Sequence, residues 1–342
     1  MRLLNVGFLA IGLIAMVWMV RKVGVDEIEI ALRSLGNWVW LMMALALAQA
    51  ALDARAMHVF MRPEQRMISY PRVLAAQLAG QAVNTVTPTG TLGEVVKVTM
   101  MVAHAPRYRA VSALVLKNLI GILASVGSLL LAIATSLVAF EVHPDVELML
   151  AISFVAILVI TVGLLVMVRR GLLRSLAGFA RSLHLISPQR RQWMVERLAD
   201  FDQQLKPVAE LHAPLYRSAI LYVFASRILG FVDLWLTLVA LGADPSLPFV
   251  IVVSGSSMVL GSIAAVVPMG IGLYDGGLAG MFRLLGASAS DGLVVSLIRR
   301  LRGIAIAALG LVIMLVVQVV DTLILRRALA ARRSRGGAGE PS

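Results

Sequence analysis

Residues 84–94 read NTVTPTGTLGE and residues 268–277 read PMGIGLYDGG, two Pro-Gly stretches whose prolines stand 180 positions apart in otherwise apolar surroundings. Each places helix breakers and one carboxylate, Glu94 or Asp275, inside a hydrophobic segment. About thirty residues after each proline, cations open a long apolar run: Lys117 in the first case, Arg299, Arg300 and Arg302 in the second. Duplicated, interrupted and charged helices are the pattern of transporters that bind their substrate between two related halves.

The rest of the chain fixes the solvent in which that pattern must be read. Hydrophobic residues make up 59% of the 342 positions against 15% charged, and several windows longer than about 18 residues carry almost no charge, so the bilayer surrounds most of the chain. Outside those runs no stretch is long or varied enough to build a separate core, which predicts one membrane domain over 1–333 and a disordered tail over 334–342. Lysine and arginine outnumber aspartate and glutamate by 31 to 19. The excess lies in a few connections and the tail, where anionic headgroups and topology account for it, and no basic domain with interleaved aromatics points to nucleic acid. With no cysteine, disulfides, thiolate metal sites and thiol nucleophiles are excluded.

Six spans are expected, roughly Leu3–Val20, Trp38–Phe60, Val111–Phe140, Val146–Val168, Leu215–Leu241 and Leu293–Leu325, each long enough for about 30 Å of hydrocarbon. The first lacks a cleavage pattern and reads as a retained span. The limbs Val73–Val86 and Gly93–Ala103 are too short to cross alone and read as a re-entrant hairpin bent at Pro88. Phe249–Val267 with Gly276–Leu285 reads the same way. The fold class is therefore an all-α polytopic membrane protein with about six transmembrane helices and two re-entrant hairpins.

Charge orients it. Arg62, Arg66 and Arg72, the segment from Arg169 to Lys206, and the tail from Arg326 to Arg335 are basic, whereas Glu141–Glu147 and Gly242–Pro248 have no lysine or arginine. The former face the cytoplasm, so both termini are cytoplasmic, the hairpins enter from opposite sides, and the halves 38–140 and 215–325 form an inverted repeat. Between them, Leu172, Leu176, Phe179 and Leu183 recur at helical spacing in a linker, 169–212, that reads as amphipathic helices on an anionic leaflet.

Irregular backbone at membrane depth survives only in protein or beside a polar cavity. Asn84, Thr85, Thr87, Thr89 and Thr91 cluster on the first turn, and Ser254, Ser256, Ser257 and Ser262 lead to the second. The candidate substrate-binding set is Asn84, Thr87, Pro88, Gly90, Gly93, Glu94, Lys117, Pro268, Gly270, Gly272, Asp275, Arg299 and Arg302. Glu94 and Asp275 either serve the helix starts or face a headgroup; Lys97 stands where it can pair with Glu94. Lys117 and the arginines suit phosphate, with Arg299 and Arg302 able to face one way. Arg227, Asp233, Asp53 and Arg55 are further candidates. The five histidines are scattered, with no HExxH, no nucleophile triad and no GxxxxGK[ST] in the chain, so neither enzymatic activity nor a metal or other cofactor is expected.

Asn84 through Lys97 is similar to the Asn-x-x-x-Pro-x-x-x-Gly-Glu stretch, and Pro268 through Gly276 to the Pro-x-Gly-x-Gly-x-x-Glu stretch, of the lysylphosphatidylglycerol synthase transmembrane-region family. Asp275 stands in place of the usual Glu. The chain resembles the stand-alone form, without the aminoacyl-transferase domain, so lysyl transfer is not expected. Its second motif is also similar to that of hopanoid-associated members. The resemblance implies movement of a lipid or lipid-linked precursor between leaflets of the bacterial inner membrane. The alternative is a non-transporting scaffold that binds lipid and recruits a lipid-biosynthesis enzyme through the basic linker.

Overall fold

The computed structural model describes residues 35–87, 91–140, 144–169, 213–264 and 272–336. The expected first span, nearly all of the linker, the turn residues Pro88, Thr89, Gly90, Pro268 and Gly270, and the end of the tail lie outside the described residues. Among those described there are nine α-helices and no strand. They are α1 (Trp38–Phe60), α2 (Tyr70–Val86), α3 (Leu92–Val102), α4 (Arg107–Ala139), α5 (Pro144–Arg169), α6 (Ala213–Ala240), α7 (Leu247–Ala264), α8 (Leu273–Leu284) and α9 (Ala289–Gly336), with a 3₁₀ turn over Glu64–Met67 between α1 and α2.

Proline punctuates this order. Pro71, Pro144, Pro214 and Pro248 all fall in the first turn of a helix, where the missing N–H is unpaired anyway and the fixed φ already suits the helix. Four helices are long and apolar enough to cross a bilayer, Trp38–Phe60, Arg107–Ala139, Arg217–Ala240 and Ala289–Leu323. They coincide with four of the expected spans, and the expected Val146–Val168 falls within α5. Helix α9 reaches Gly336, so residues 334–336, expected in the disordered tail, are helical. Large apolar side chains such as Ile122, Leu131, Ile152, Val159 and Val316 point outward, as on a surface solvated by acyl chains. The protein is a multi-pass membrane protein.

With lipid outside as apolar as the interior, close backbone approach holds the helices together. Helix α2 presents Ala76, Ala79, Gly80 and Ala82, all buried. A Cβ on Gly80 would lie 2.6 Å from the Gly93 carbonyl, and one on Gly93 1.9 Å from the Gly80 carbonyl, so two glycines let α2 and α3 touch backbone to backbone. Gly310 of α9 meets the Leu78 carbonyl and Ala82 of α2, and Gly255 of α7 meets the Ser128 carbonyl and Ala132 of α4. The main packings are thus α1 on α6, α2 on α9, α4 on α7, and the two neighbours α2–α3 and α8–α9.

Candidate functional site

The polar residues of the apolar helices converge on one cavity of about 620 Å³, walled by α1, α2, α6, α7, α8 and α9. Each wall helix contributes at helical spacing: Gln49 and Asp53 from α1, Gln77, Gln81, Asn84 and Thr85 from α2, Arg227, Asp233 and Thr237 from α6, Ser254 and Ser257 from α7. Helix α9 adds Ser296, Arg299, Arg300 and Arg302, and α8 adds Tyr274.

Ion pairs hold the wall. Lys117 Nζ of α4 lies 3.0 Å from Asp53 Oδ2 of α1. Arg302 of α9 bonds Asp233 of α6, and Arg300 bonds Asp275 of α8, whose other oxygen accepts from Ser296. Thr237 turns its hydroxyl back to the Asp233 carbonyl at 2.7 Å, spending it on the helix. Arg299 donates to the Tyr274 hydroxyl, with its guanidinium carbon 4.6 Å from the ring centroid.

Glu94 is a clamp. Its Oε1 accepts from Lys97 Nζ at 2.8 Å and from Asn84 Nδ2 at 3.1 Å, and its Oε2 accepts from Asn118 Nδ2 at 3.2 Å. The pairing with Lys97 expected from their spacing is therefore present. Asn84 Oδ1 also accepts from the Gly93 amide at 2.6 Å, so one network ties α2, α3 and α4 at the start of α3. Asp275 does the matching job for α8, accepting from the Gly272 amide at 2.9 Å as a third-position carboxylate reaching back to the helix start. Gly272 has φ +83°, a left-handed conformation that favours glycine.

Of the candidate set, Asn84, Thr87, Arg299 and Arg302 line the cavity. Glu94, Lys117 and Asp275 stand behind the wall and orient groups on it, while Gly93 and Gly272 are backbone positions of helix contact and helix start. Arg302, expected to hold phosphate, is taken up by Asp233. Thr85 and Thr87 return their hydroxyls to the Gln81 and Val83 carbonyls. Arg55 stacks on Tyr70, 5.4 Å from its centroid, and does not line the cavity.

Three residues given less weight in the sequence, Asp53, Asp233 and Arg227, are in the wall, and Gln49, Gln77 and Gln81 were missed. Their signal was available: polar residues recurring every three or four positions inside apolar runs, as at 49 and 53, or 77, 81, 84 and 85.

The model of one family, described as the lysylphosphatidylglycerol synthase TM region, matches residues 5–310 of the chain. Neither the curated proteins nor the solved structures offer a match.

Proposed function

The chain belongs to the lysylphosphatidylglycerol synthase TM region family, and from that membership we propose that it is a lipid translocator. It would work in the bacterial cytoplasmic membrane with both termini inside, and without enzymatic activity. A headgroup enters the polar cavity while its tail stays in lipid, and rocking of α1–α4 against α6–α9 opens the cavity to each leaflet in turn. The observation that carries this reading is the cavity itself, about 620 Å³ lined by amides, hydroxyls and guanidiniums within a bundle of apolar helices. Polar groups are expensive at such depth and mark a substrate path.

An inverted repeat is supported by the packing. Interchanging α1 with α6, α2 with α7, α3 with α8 and α4 with α9 turns the α2–α9 contact into the α7–α4 contact, leaves the α1–α6 contact as it is, and turns every other packed pair of these helices into another packed pair. Asp53 and Asp233 stand 180 residues apart, as the two prolines do, and each pairs with a cation on the helix that follows its own hairpin. In this reading α2–α3 and α7–α8 are the re-entrant hairpins.

The test is leaflet exchange of fluorescent lipids in proteoliposomes, across a panel of zwitterionic, anionic and uncharged headgroups. The wild type should accelerate exchange of at least one class, and Ser257→Trp, which fills the cavity, should not. If the wild type moves none of them, or Ser257→Trp moves them as fast, the translocator reading fails.

A further inference from the structure

We propose that the Glu94–Lys97 pair of α3 is a proton-binding site, loaded and emptied once in each cycle of the cavity. The coupling to a cycle rests on the translocator reading, whereas the proton site rests on contacts and on the choice of residue.

That choice is uncommon in this chain. Of its 31 lysine and arginine positions four are lysine, Lys22, Lys97, Lys117 and Lys206. Two of these, Lys97 and Lys117, are buried beside carboxylates within α1–α4, while the same work within α6–α9 falls to Arg300 and Arg302. Glu94 and Asp275 stand in the first turns of α3 and α8, yet Asn118 is what α4 offers Glu94 and Arg300 is what α9 offers Asp275. A guanidinium does not give up its proton in a protein, and an ammonium can. The difference confines proton exchange to one of the two hairpins.

Lys97 is placed for that exchange. Its side chain is 4% exposed, and its stem runs over Gly80 of α2, where a Cβ would stand 2.4 Å from Lys97 Cγ and 2.7 Å from Cε. Nζ donates to Glu94 Oε1 at 2.8 Å. Among the described residues that is the one acceptor bonded to it, so two N–H groups of the ammonium are left over. The other titratable groups that face it are Lys117 of α4 and Asp53 of α1, both close enough to act on its charge. Helix α2 offers Gly80 and the Asn84 amide, and α9 brings apolar Ala307, Leu311 and Met314 to the cluster around Val96.

Release breaks one N–H bond of Lys97 and forms an O–H bond on Glu94. The carboxyl, 27% exposed and bonded to the cavity residue Asn84, then passes the proton to water. What remains is a neutral amine still donating to an ionised Glu94, one charge more negative than before. Lys117, already within electrostatic reach of Glu94, then draws α3 toward α4, and proton uptake reverses the pull.

Nitrogen NMR of the lysine-labelled full chain in detergent reads this site without reference to transport, because four lysines give few signals. The signal lost in Lys97→Arg should pass from ammonium to amine between mildly acidic and mildly alkaline solution; an ammonium throughout would overturn the proposal. Should Lys97→Arg fail to fold beside Gly80, a chain carrying Lys22→Arg, Lys117→Arg and Lys206→Arg keeps Lys97 as its single lysine and decides the same point. In proteoliposomes with the membrane potential held at zero, a pH gradient should concentrate the transported lipid in one leaflet, up to about tenfold per pH unit for one proton per lipid. Reversing the gradient should reverse the enrichment, and Lys97→Arg should exchange the lipid without concentrating it. Wild-type exchange that concentrates lipid under neither gradient would overturn the coupling and spare the translocator reading. No exchange at all would sink that reading and the coupling with it, and the NMR would still judge the proton site.

Discussion

Arg302→Gln should unfold the protein more readily, and most of that loss should vanish when Asp233→Asn is made with it. The side chains are 19% and 10% exposed and bond directly across α6 and α9, which meet along a short stretch. Removing one member of a buried pair leaves the other charge desolvated, at a cost of about 3–5 kcal/mol. The cavity admits some water to this pair, so about 3 kcal/mol is the expected loss for either single change. The double variant places two amides where the ions were, and neutral groups able to bond each other should return to within about 1 kcal/mol of wild type. With about 3 kcal/mol lost in each single variant and about 1 or less in the double, the expected coupling is about 5–6 kcal/mol, far above the few tenths seen between independent sites. Unfolding in detergent, followed by the fluorescence of Trp235 two residues from Asp233, measures all four corners of the cycle. Additive losses would refute the pairing argument. An Arg302→Gln variant as stable as the wild type would refute it too.

Two further outcomes follow from local geometry. Gly93→Ala should destabilise by about 3 kcal/mol or prevent insertion, because its Cβ would meet the Gly80 carbonyl at 1.9 Å and backbone must move; Gly127→Ala in α4, where nothing lies within 4 Å, should be neutral or slightly stabilising, and equal unfolding midpoints for the two would sink the close-contact account. At the membrane edge, burial raises the Glu64 pKa, but the Tyr108 hydroxyl, the backbone and Arg109 outweigh it and hold the carboxyl below its ordinary value. A carboxylate depressed in the folded state contributes stability that is full above its unfolded pKa and disappears as pH falls through the folded value. Wild type should thus lose more stability than Glu64→Gln on acidification below about pH 4.5, and parallel pH profiles would count against the contact.

What the sequence made legible followed from local physics. Length and apolarity marked α1, α4, α6 and α9, because a span must satisfy its backbone within itself. The short limbs at α2 and α3 were equally visible from their length, and α3 begins at Leu92, one residue before the expected Gly93. Pairing was not legible. Arg302 and Asp233 are 69 residues apart, and whether an arginine at helical spacing faces a substrate or a carboxylate depends on where another helix crosses. Gly93 looked like a site residue because it lies in the motif, yet its reason is Gly80, thirteen positions earlier on a helix that folds back against it. The glutamines of α1 and α2 carry no charge and were passed over, although their three-to-four spacing marks one face.

The distribution of contacts suits the rocking proposed for the two sets of helices. Apolar replacements of buried ion pairs are often at least as stable, so the charges here need a reason beyond stability. Asp53–Lys117 and Glu94–Lys97 join helices or turns within α1–α4, and Asp233–Arg302 and Asp275–Arg300 do so within α6–α9. Directional, desolvated bonds therefore stiffen each set. Across the sets the contacts are of another kind, with Gly255 on Ser128 and Ala132, and Gly310 on Leu78 and Ala82. Such surfaces of small residues have no charge to strand and lose little when they slide. The one ion pair crossing the divide among those described, Arg72 with Asp321, spans 3.5 Å with both side chains about one-third exposed, the kind worth about 0–1 kcal/mol. A rocking motion would break that contact at small cost while every buried pair stayed whole.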